Sequence, residues 1–185
     1  MAFNQHKLER GAALILEGLG ADPKDHNFTS TPERYARAVL ELFNAEDTEW
    51  ATFEETYSDF ILLRGHRMAS LCPHHLLPVQ FQVSLAYVPD GHVLGLSKLA
   101  RLLQDCNRGP LLQEAFTKRA IDKVREICPA VRGAACLVEG QHACLSLRGV
   151  RSPAAFVTYR LDGLFQSDRD LEHRFFALAN GGQKA

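Results

Sequence analysis

The sequence predicts an α+β fold in which an antiparallel sheet carries its helices on one face. Two observations predict this class. Segments with the 3.6-residue apolar period of amphipathic helices are grouped apart from segments in which every second residue is apolar, as in half-buried strands. Their order is two helices, a pair of strands, two helices, strands again and a final helix. Such grouping favours α+β over the regular strand–helix alternation of a parallel sheet.

Five helices follow from the apolar spacing and from end signals. They are predicted, in chain order, over residues 5–18, from Ser30 or Thr31 to Phe43, and over 98–105, 111–127 and 168–178. Gly18 and Gly20 end the first helix, and Pro32 suits the first turn of the second. Ser97 is expected to cap the third helix, since its hydroxyl group can accept a free backbone N–H.

Strands are predicted over residues 57–63, 79–88, 134–139, 143–148 and 155–161. The pattern is clearest in the second of them, where apolar residues from Val79 to Tyr87 alternate with polar or small ones, so that one side faces the core. The turn residues Pro89-Asp90-Gly91 follow it. Residues 44–55 are acidic and are expected to be irregular.

Composition restricts the function. The chain has 185 residues, 46% of them hydrophobic, which suits one globular domain with a short additional segment. We expect a helical segment over residues 1–50 and a main domain over 51–185. The formal net charge of −1 provides no overall field for nucleic acid or an anionic membrane. No apolar run reaches the roughly 20 residues of a membrane span, and the N-terminus does not resemble a secretory signal, so a cytoplasmic protein is expected.

Five cysteines are an odd number and do not indicate a disulfide framework. Cys106, Cys128 and Cys136 have apolar spacing in helices or strands and are predicted to be core residues. The other two, Cys72 and Cys144, lie next to histidines.

Two short stretches hold most of the potential metal ligands. Cys72-Pro73-His74-His75 carries three in four residues, and His142-Ala143-Cys144 carries two more far along the chain. Zinc binds Cys and His in tetrahedral geometry, and a catalytic zinc keeps one position open for water. Cys72 and His75 have a C-x-x-H spacing that one turn can direct at one ion, and Cys144 would complete the three.

Alternatives stay open at these residues. A single cysteine such as Cys144 in a strand is more often part of the core, and a His-His pair is often only exposed. A structural zinc would need a fourth ligand, for which His74 and His142 are candidates, although adjacent residues do not easily face one ion. The joint occurrence of both stretches favours a metal site, and two thiolates with one imidazole favour zinc.

Several motifs together resemble the GTP cyclohydrolase I family, zinc-dependent enzymes that open pteridine and folate synthesis. Cys72-Pro73-His74-His75 is similar to its Cys-Glu-His-His, and Gly95–Arg101 to its Gly-Leu-Ser-Lys-x-x-Arg. Gln113-Glu114 resembles its Val-Gln-Glu, and His142-x-Cys144 followed by Arg148-Gly149 resembles its His-x-Cys-x-x-x-Arg-Gly. Thr31-Pro32-Glu33-Arg34 resembles its Thr-Pro-x-Arg. Order and spacing agree over about residues 17–176.

The resemblance implies a fold and an assembly. The family fold is the tunnelling fold, or T-fold, in which the sheets of a ring of subunits close a barrel. The rings usually stack into a homodecamer, with active sites between subunits. Residues 51–185 would then be the T-fold catalytic domain.

The resemblance also implies roles at the matching positions. Cys72, His75 and Cys144 would bind Zn²⁺, and His74 and His142 would be the acid–base pair.

The other matching residues are implied to bind GTP. Gln113 and Glu114 would read the guanine edge, since a carboxylate offers two acceptors to the N1–H and 2-amino donors of guanine, whereas adenine presents an unprotonated N1. The ribose and triphosphate would be lined by Ser97, Lys98, Arg101 and Arg148. Arg34 and Arg37 share a helical face and by composition alone would be a solvated pair. The resemblance implies that they extend the phosphate site of a neighbouring subunit.

The implied reaction is the zinc-dependent hydrolysis of GTP at C8, with formate release and rearrangement to 7,8-dihydroneopterin triphosphate. Three positions depart from the family pattern: Pro73 replaces a Glu, residues 152–160 lack a Ser/Thr-rich run, and the usual Asp in the strand before the zinc ligands is replaced around Gly65. They motivate one alternative, a variant that stops after opening the imidazole ring. A non-catalytic zinc-binding paralogue is the other, but a purely structural zinc has no use for the spare imidazoles of His74 and His142.

Overall fold

The computed structural model describes three stretches of the chain, residues 3–22, 24–43 and 48–181. The chain divides into two compact units, Met1–Asn44 and Ala45–Ala185. None of the helices in the described stretches combines the length and the apolar character that crossing a lipid bilayer requires.

The first unit is a pair of packed helices, α1 (Gln5–Gly18) and α2 (Thr31–Phe43). Asn4 caps α1, because its side-chain oxygen accepts the backbone N–H of Lys7 at 2.9 Å. Both helices lie where the apolar pattern predicts them. Pro32 occupies the first turn of α2, where its missing N–H costs nothing.

The second unit contains six strands and five helices among the described residues. In chain order they are β1 (Thr52–Glu54), β2 (Ile61–Leu71), β3 (Pro78–Val88), β4 (His92–Leu94), α3 (Leu96–Cys106), α4 (Gln113–Ile127), β5 (Gly133–His142), α5 (Ala143–Ser146), β6 (Phe156–Gly163), α6 (Leu164–Ser167) and α7 (Arg169–Ala179). Four strands form one antiparallel sheet in the order β2-β3-β5-β6, and β1 pairs with β4. The α+β class and the antiparallel sheet are therefore confirmed.

The helices pack on the main sheet in two groups. Side chains on one face of β3, such as Phe81, Val83 and Leu85, are buried together with residues of α3 and α4. The closing helix α7 packs against the opposite face, where Ala86 and Ala135 are buried. At this end of the sheet β3 and β5 are apolar on both faces. The prediction of helices on one face therefore holds for α3 and α4, whereas α7 covers the other face.

Two predicted strands differ from the structure. β2 lies later in the chain than the predicted 57–63, and its register shifts near Gly65, whose φ of +65° suits a residue without a Cβ. Residues 143–148 form no strand, because β5 continues to His142 and the chain then enters α5. The physical reason is the lack of a partner: His142 already pairs with Val79, the second residue of β3.

Helix α3 begins differently from the prediction. Gly95, not Ser97, occupies the N-cap position, and no side chain caps the helix. Ser97 instead lies exposed in the first turn. The strands β1 and β4 have three residues each, which is too few to show an apolar period in the sequence.

Candidate active site

The candidate site lies at the end of the sheet where β2 and β5 stop on either side of the start of β3. Leu71 pairs with Pro78, and His142 pairs with Val79. The turn that follows β2 and the short helix α5 that follows β5 therefore lie side by side, although they are far apart in the sequence.

The turn after β2 is closed by backbone hydrogen bonds at Cys72. Its N–H donates to the carbonyl oxygen of Leu77 at 2.9 Å, and its own carbonyl oxygen accepts the N–H of Leu76 at 2.8 Å. Leu76 has a φ of +53°, a left-handed conformation that costs a residue with a Cβ roughly 1–2 kcal/mol. Within this turn Cys72 is buried, whereas His74 and His75 are exposed.

Three side chains converge between this turn and α5. The ligand atoms of Cys72, His75 and Cys144 all lie within 4.8 Å of one another, and the three form a group that could hold a metal ion. No other such group of three or more His, Cys, Asp or Glu side chains occurs in the stretches that the structure describes. We call these three residues the thiol–imidazole group.

The distance between Cys72 and His75 in this group fits a tetrahedral ion. Ligand atoms about 2.0–2.3 Å from a tetrahedral zinc ion lie roughly 3.3–3.8 Å from one another. The distance from Sγ of Cys72 to Nδ1 of His75 is 3.7 Å, within that range. Soft sulfur donors with one imidazole are also the donor types that zinc prefers. Residues and spacing therefore fit zinc.

The surroundings of Cys144 disfavour the ionisation of its thiol. Burial raises the pKa of the Cys144 thiol, and a hydrogen bond with Cys72 and the charge of Cys72 raise it further. A nearby cation favours thiolates, so the arrangement is better suited to a metal ion than to two free thiols. His74 lies next to the group, with its Nδ1 3.9 Å from Sγ of Cys72, but it is not a member.

A second set of polar side chains lies beside the first, and we call it the carboxamide cluster: Gln113, Thr117, His142 and Thr158. The Nε2 group of Gln113 has two hydrogens for three acceptors within hydrogen-bond distance: the carbonyl oxygens of Val138 (3.0 Å) and Phe156 (2.8 Å) and Oγ1 of Thr158 (3.1 Å). Its Oε1 lies 2.9 Å from Nε2 of His142.

The threonines support this arrangement from behind. Thr117 donates to the backbone oxygen of Gln113 at 2.9 Å, and its hydroxyl lies 2.7 Å from that of Thr158. Gln113 is only 2% exposed, so its side chain is enclosed by α4, β5 and β6.

The environment of His142 favours its neutral form. Burial lowers the pKa of His142 below its ordinary value, and the carboxylate of Glu114 acts in the opposite direction. A neutral imidazole at pH 7 can accept a proton, and its imidazolium form can give one.

Members of both sets, Cys72 and Cys144 from the first and Gln113 and His142 from the second, line one cavity of about 240 Å³. Its lining residues are Cys72, Pro73, His74, Leu111, Leu112, Gln113, Glu114, His142, Cys144, Leu145 and Phe156. The volume lies below the roughly 300–1,000 Å³ of most ligand sites. A cavity of about 610 Å³ lies elsewhere, between the polar residues of β2, β3 and β5. None of the residues that line it belongs to the thiol–imidazole group, so we take the smaller cavity as the candidate site.

The structure brings together some of the predicted substrate residues and not others. Glu114 lies in the first turn of α4 and lines the cavity. Arg148 is exposed, and its Nη1 lies 2.7 Å from Nε2 of His75. Ser97, Lys98 and Arg101 lie on α3 and are not among the described residues that line the cavity.

The two predicted arginines of α2 belong to the first unit. Arg34 and Arg37 are both exposed, and Arg37 lies 3.7 Å from Glu33 on the same helix.

Sequence reasoning did not find three residues of the carboxamide cluster and its surroundings, Gly140, Thr117 and Thr158. A Cβ added at Gly140 would overlap with Oε1 of Gln113 and would lie 2.9 Å from Nε2 of His142. A single glycine inside a strand pattern is a known signal of such a close approach. The two threonines carry no comparable signal, since threonine is common in strands.

Fold and site together define a class: an α+β protein with a candidate metal centre beside histidines that can transfer protons. Residues 8–180 match the family model described as GTP cyclohydrolase I. The chain belongs to the GTP cyclohydrolase I family, which confirms the resemblance seen in its motifs.

Two relatives illustrate the match. A protein of Clostridium perfringens (strain 13 / Type A) named GTP cyclohydrolase 1 is 38% identical over 182 residues, covering 95% of this chain and 98% of the relative. A protein of the same name from Aquifex aeolicus (strain VF5) is 36% identical over 185 residues, covering 98% and 100%. Among solved structures, the archaeosine synthase QueF-Like in the apo form has a TM-score of 0.47 and 20% identity, and the match covers 58% of this chain and 97% of that one.

Proposed function

We propose that this protein hydrolyses GTP at C8, releases formate and forms 7,8-dihydroneopterin triphosphate. Family membership supports the proposal. The observation that carries it is one cavity lined by members of the thiol–imidazole group, by two further histidines and by Glu114. These are the groups that water activation, proton transfer and guanine recognition each require.

Zinc is the proposed metal, with Cys72, His75 and Cys144 as its ligands. The donor types and the 3.7 Å spacing support this assignment. When bound, the ion would act as a Lewis acid that lowers the pKa of a water molecule to about 7. Such acidity is needed because C8 of a purine is a poor electrophile.

His142 and His74 are the proposed proton carriers. As a water oxygen bonds to C8, N7 of the base needs a proton, and an imidazole with a pKa near the working pH suits this transfer. Both histidines line the cavity.

Guanine selection is assigned to Glu114. Its carboxylate lines the cavity in the first turn of α4 and would accept the N1–H and 2-amino hydrogens of the base. Adenine offers an acceptor at N1, so a desolvated carboxylate would face it without a hydrogen. The expected share of Gln113 in this role stays a prediction, and its amide group is already hydrogen-bonded to two strands and to His142.

A homo-oligomer completes the proposed site. The main sheet has two open edges, β2 and β6, and Phe156, Val157 and Tyr159 on β6 are exposed. Open, apolar edges are suited to pairing with another copy, as the barrel of a T-fold decamer requires. The cavity of about 240 Å³ is also small for a whole nucleotide.

The neighbouring copy would supply part of the triphosphate site, for which Ser97, Lys98 and Arg101 are candidates. Arg148, beside His75, would bind phosphate from the same chain as the metal ligands, since guanidinium forks match phosphate oxygens. A phosphate role for Arg34 and Arg37 stays a prediction, as does a cytoplasmic location.

The test is to incubate the zinc-loaded protein with GTP and to measure formate and pterin fluorescence separately. Equal amounts of both are expected, and ATP serves as the control nucleotide. Formate without pterin would favour the ring-opening variant, for which Pro73 in the cavity wall is the motivating residue. If neither formate nor pterin forms, the result contradicts the proposed function and favours a non-catalytic zinc protein.

A further inference from the structure

The orientation of the Gln113 carboxamide is fixed by its surroundings. One end of the group faces the carbonyl oxygens of Val138 and Phe156 at 3.0 and 2.8 Å. Carbonyl oxygens only accept hydrogen bonds, so this end must be the NH₂ group. The reverse orientation would bury an oxygen against two others in a place that is 2% exposed. Oε1 therefore points at His142.

This orientation determines which nitrogen of His142 carries a proton. Oε1 of Gln113 can only accept, and it lies 2.9 Å from Nε2 of His142. Nε2 must therefore be the N–H, since a bare nitrogen and an oxygen would repel each other at this distance. In the neutral ring Nδ1 is then the bare nitrogen.

Strand β5 has a glycine where it passes the Gln113–His142 pair, and the missing side chain leaves room for the pair. Gly140 lies on β5 with Gln113 and His142 directly over its Cα, where a Cβ would overlap with Oε1. Glycine inside a strand forgoes packing and costs backbone entropy. At Gly140 this cost is offset by the space that the missing Cβ leaves for the Gln113–His142 hydrogen bond.

We infer that Gln113 is a positioning residue that holds His142 with its proton on Nε2, so that Nδ1 exchanges the proton with the substrate. This inference rests on the proposed function. The neutral ring takes a proton at Nδ1 from the water molecule whose oxygen bonds to C8. The imidazolium then gives this Nδ1 proton to N7 of the base as the C8–N7 double bond becomes a single bond, and the neutral ring remains with Nε2–H on Gln113. The hydrogen bond to Gln113 is the same in both states.

The kinetic test uses Gln113→Met and Gly140→Ala. Methionine keeps the length of the side chain without an acceptor, and alanine displaces the carboxamide without removing it. Both variants are expected to lower kcat for formate release by about 10²-fold and to leave the KM for GTP within about threefold. A raised KM with unchanged kcat would overturn the inference, because it would mean that Gln113 binds the base.

Gly133→Ala is the matched control. It makes the same substitution at the opposite end of β5, where a Cβ would lie 2.7 Å from the backbone nitrogen of Leu164. It is expected to lower thermal stability while kcat per folded molecule is retained. Circular dichroism and zinc content identify any variant that fails to fold, and an equal kcat loss in Gly133→Ala would overturn the inference.

The second readout does not need activity. The ¹⁵N spectrum of the histidine rings separates protonated from bare nitrogens, and His142→Asn identifies the signals of His142. In wild-type protein, with or without zinc, the protonated nitrogen of neutral His142 is expected to be Nε2, and Gln113→Met should abolish this preference. A bare Nε2 in wild type overturns the inference even if GTP is hydrolysed. If GTP is not hydrolysed, the proposed function fails while the spectrum still decides the tautomer.

Discussion

The thiol–imidazole group and the carboxamide cluster border the same cavity but are built in opposite ways. The first comes from a turn and a one-turn helix, and His75 is exposed. Burial and the neighbouring Cys72 raise the pKa of the Cys144 thiol. The second is enclosed by a long helix and two strands, and the polar atoms of Gln113 are all hydrogen-bonded. The first group has the donor atoms that a metal ion would bring together, whereas the second is hydrogen-bonded internally without any ligand.

The largest effect on formate release is expected from a substitution that removes a ligand from the thiol–imidazole group. Cys144→Ala should lose zinc and reduce formate release by well over 10²-fold, because even residues behind the ligands typically cost about 10–100-fold. Metal analysis and the formate assay measure both effects. Cys128→Ala, a buried cysteine outside the group, should keep its zinc. Full zinc retention in Cys144→Ala would remove this residue from the site.

The next largest effect is expected at His142, where activity and zinc binding should respond differently. His142→Ala should keep zinc and lower formate release by about 10²-fold, because a proton carrier is removed and no ligand is. Zinc content and kcat are measured on the same preparation. If zinc were lost together with activity, His142 would be a ligand and the division between the groups would be wrong.

A smaller effect is expected at the cavity wall. Glu114→Gln exchanges one acceptor for a donor that faces a donor on guanine, so the KM for GTP should rise by about 10-fold or more. Steady-state kinetics with GTP and ATP measure this. Glu126→Gln, on the last turn of the same helix beside Lys123, should behave as wild type. Unchanged GTP kinetics in Glu114→Gln would end the guanine assignment.

The smallest effect lies outside both groups. Asp59 and Arg174 form an ion pair at 2.5 Å with side chains about 40% exposed, so solvent screens it. The hydrogen bond from Arg174 lowers the pKa of Asp59. Its stabilisation is therefore present above the unfolded pKa of about 3.9 and is lost as pH falls through the folded pKa.

Asp59→Asn should accordingly reduce the denaturation midpoint slightly at pH 7, with the difference from wild type vanishing in acid. Formate release should stay within about twofold of wild type. A large loss of activity would show that the chemistry extends beyond the two groups.

The sequence predicts features that depend on residues close together in the chain. It does not predict features that depend on residues far apart in the chain. The alternation of β3, the two N-terminal helices and the ligand-bearing stretches around Cys72 and Cys144 are local patterns. The predicted strand 143–148 is wrong because a strand needs a partner, and partners are set by the register of distant residues. The same limit hides the role of Gln113, whose acceptors at Val138 and Phe156 are brought to it only by the β5–β6 pairing.

Gly140 has a consequence for how this site is mapped by mutation. Alanine scanning removes side-chain atoms, and it identifies a residue as functional when the loss of those atoms lowers activity. At Gly140 the contribution is an absent methyl group, so only the addition of atoms reveals it. Suppose that every side chain of the cavity were copied onto another sheet, with alanine at the position of Gly140. All the functional groups would be present, but the added methyl group would prevent the Gln113–His142 contact.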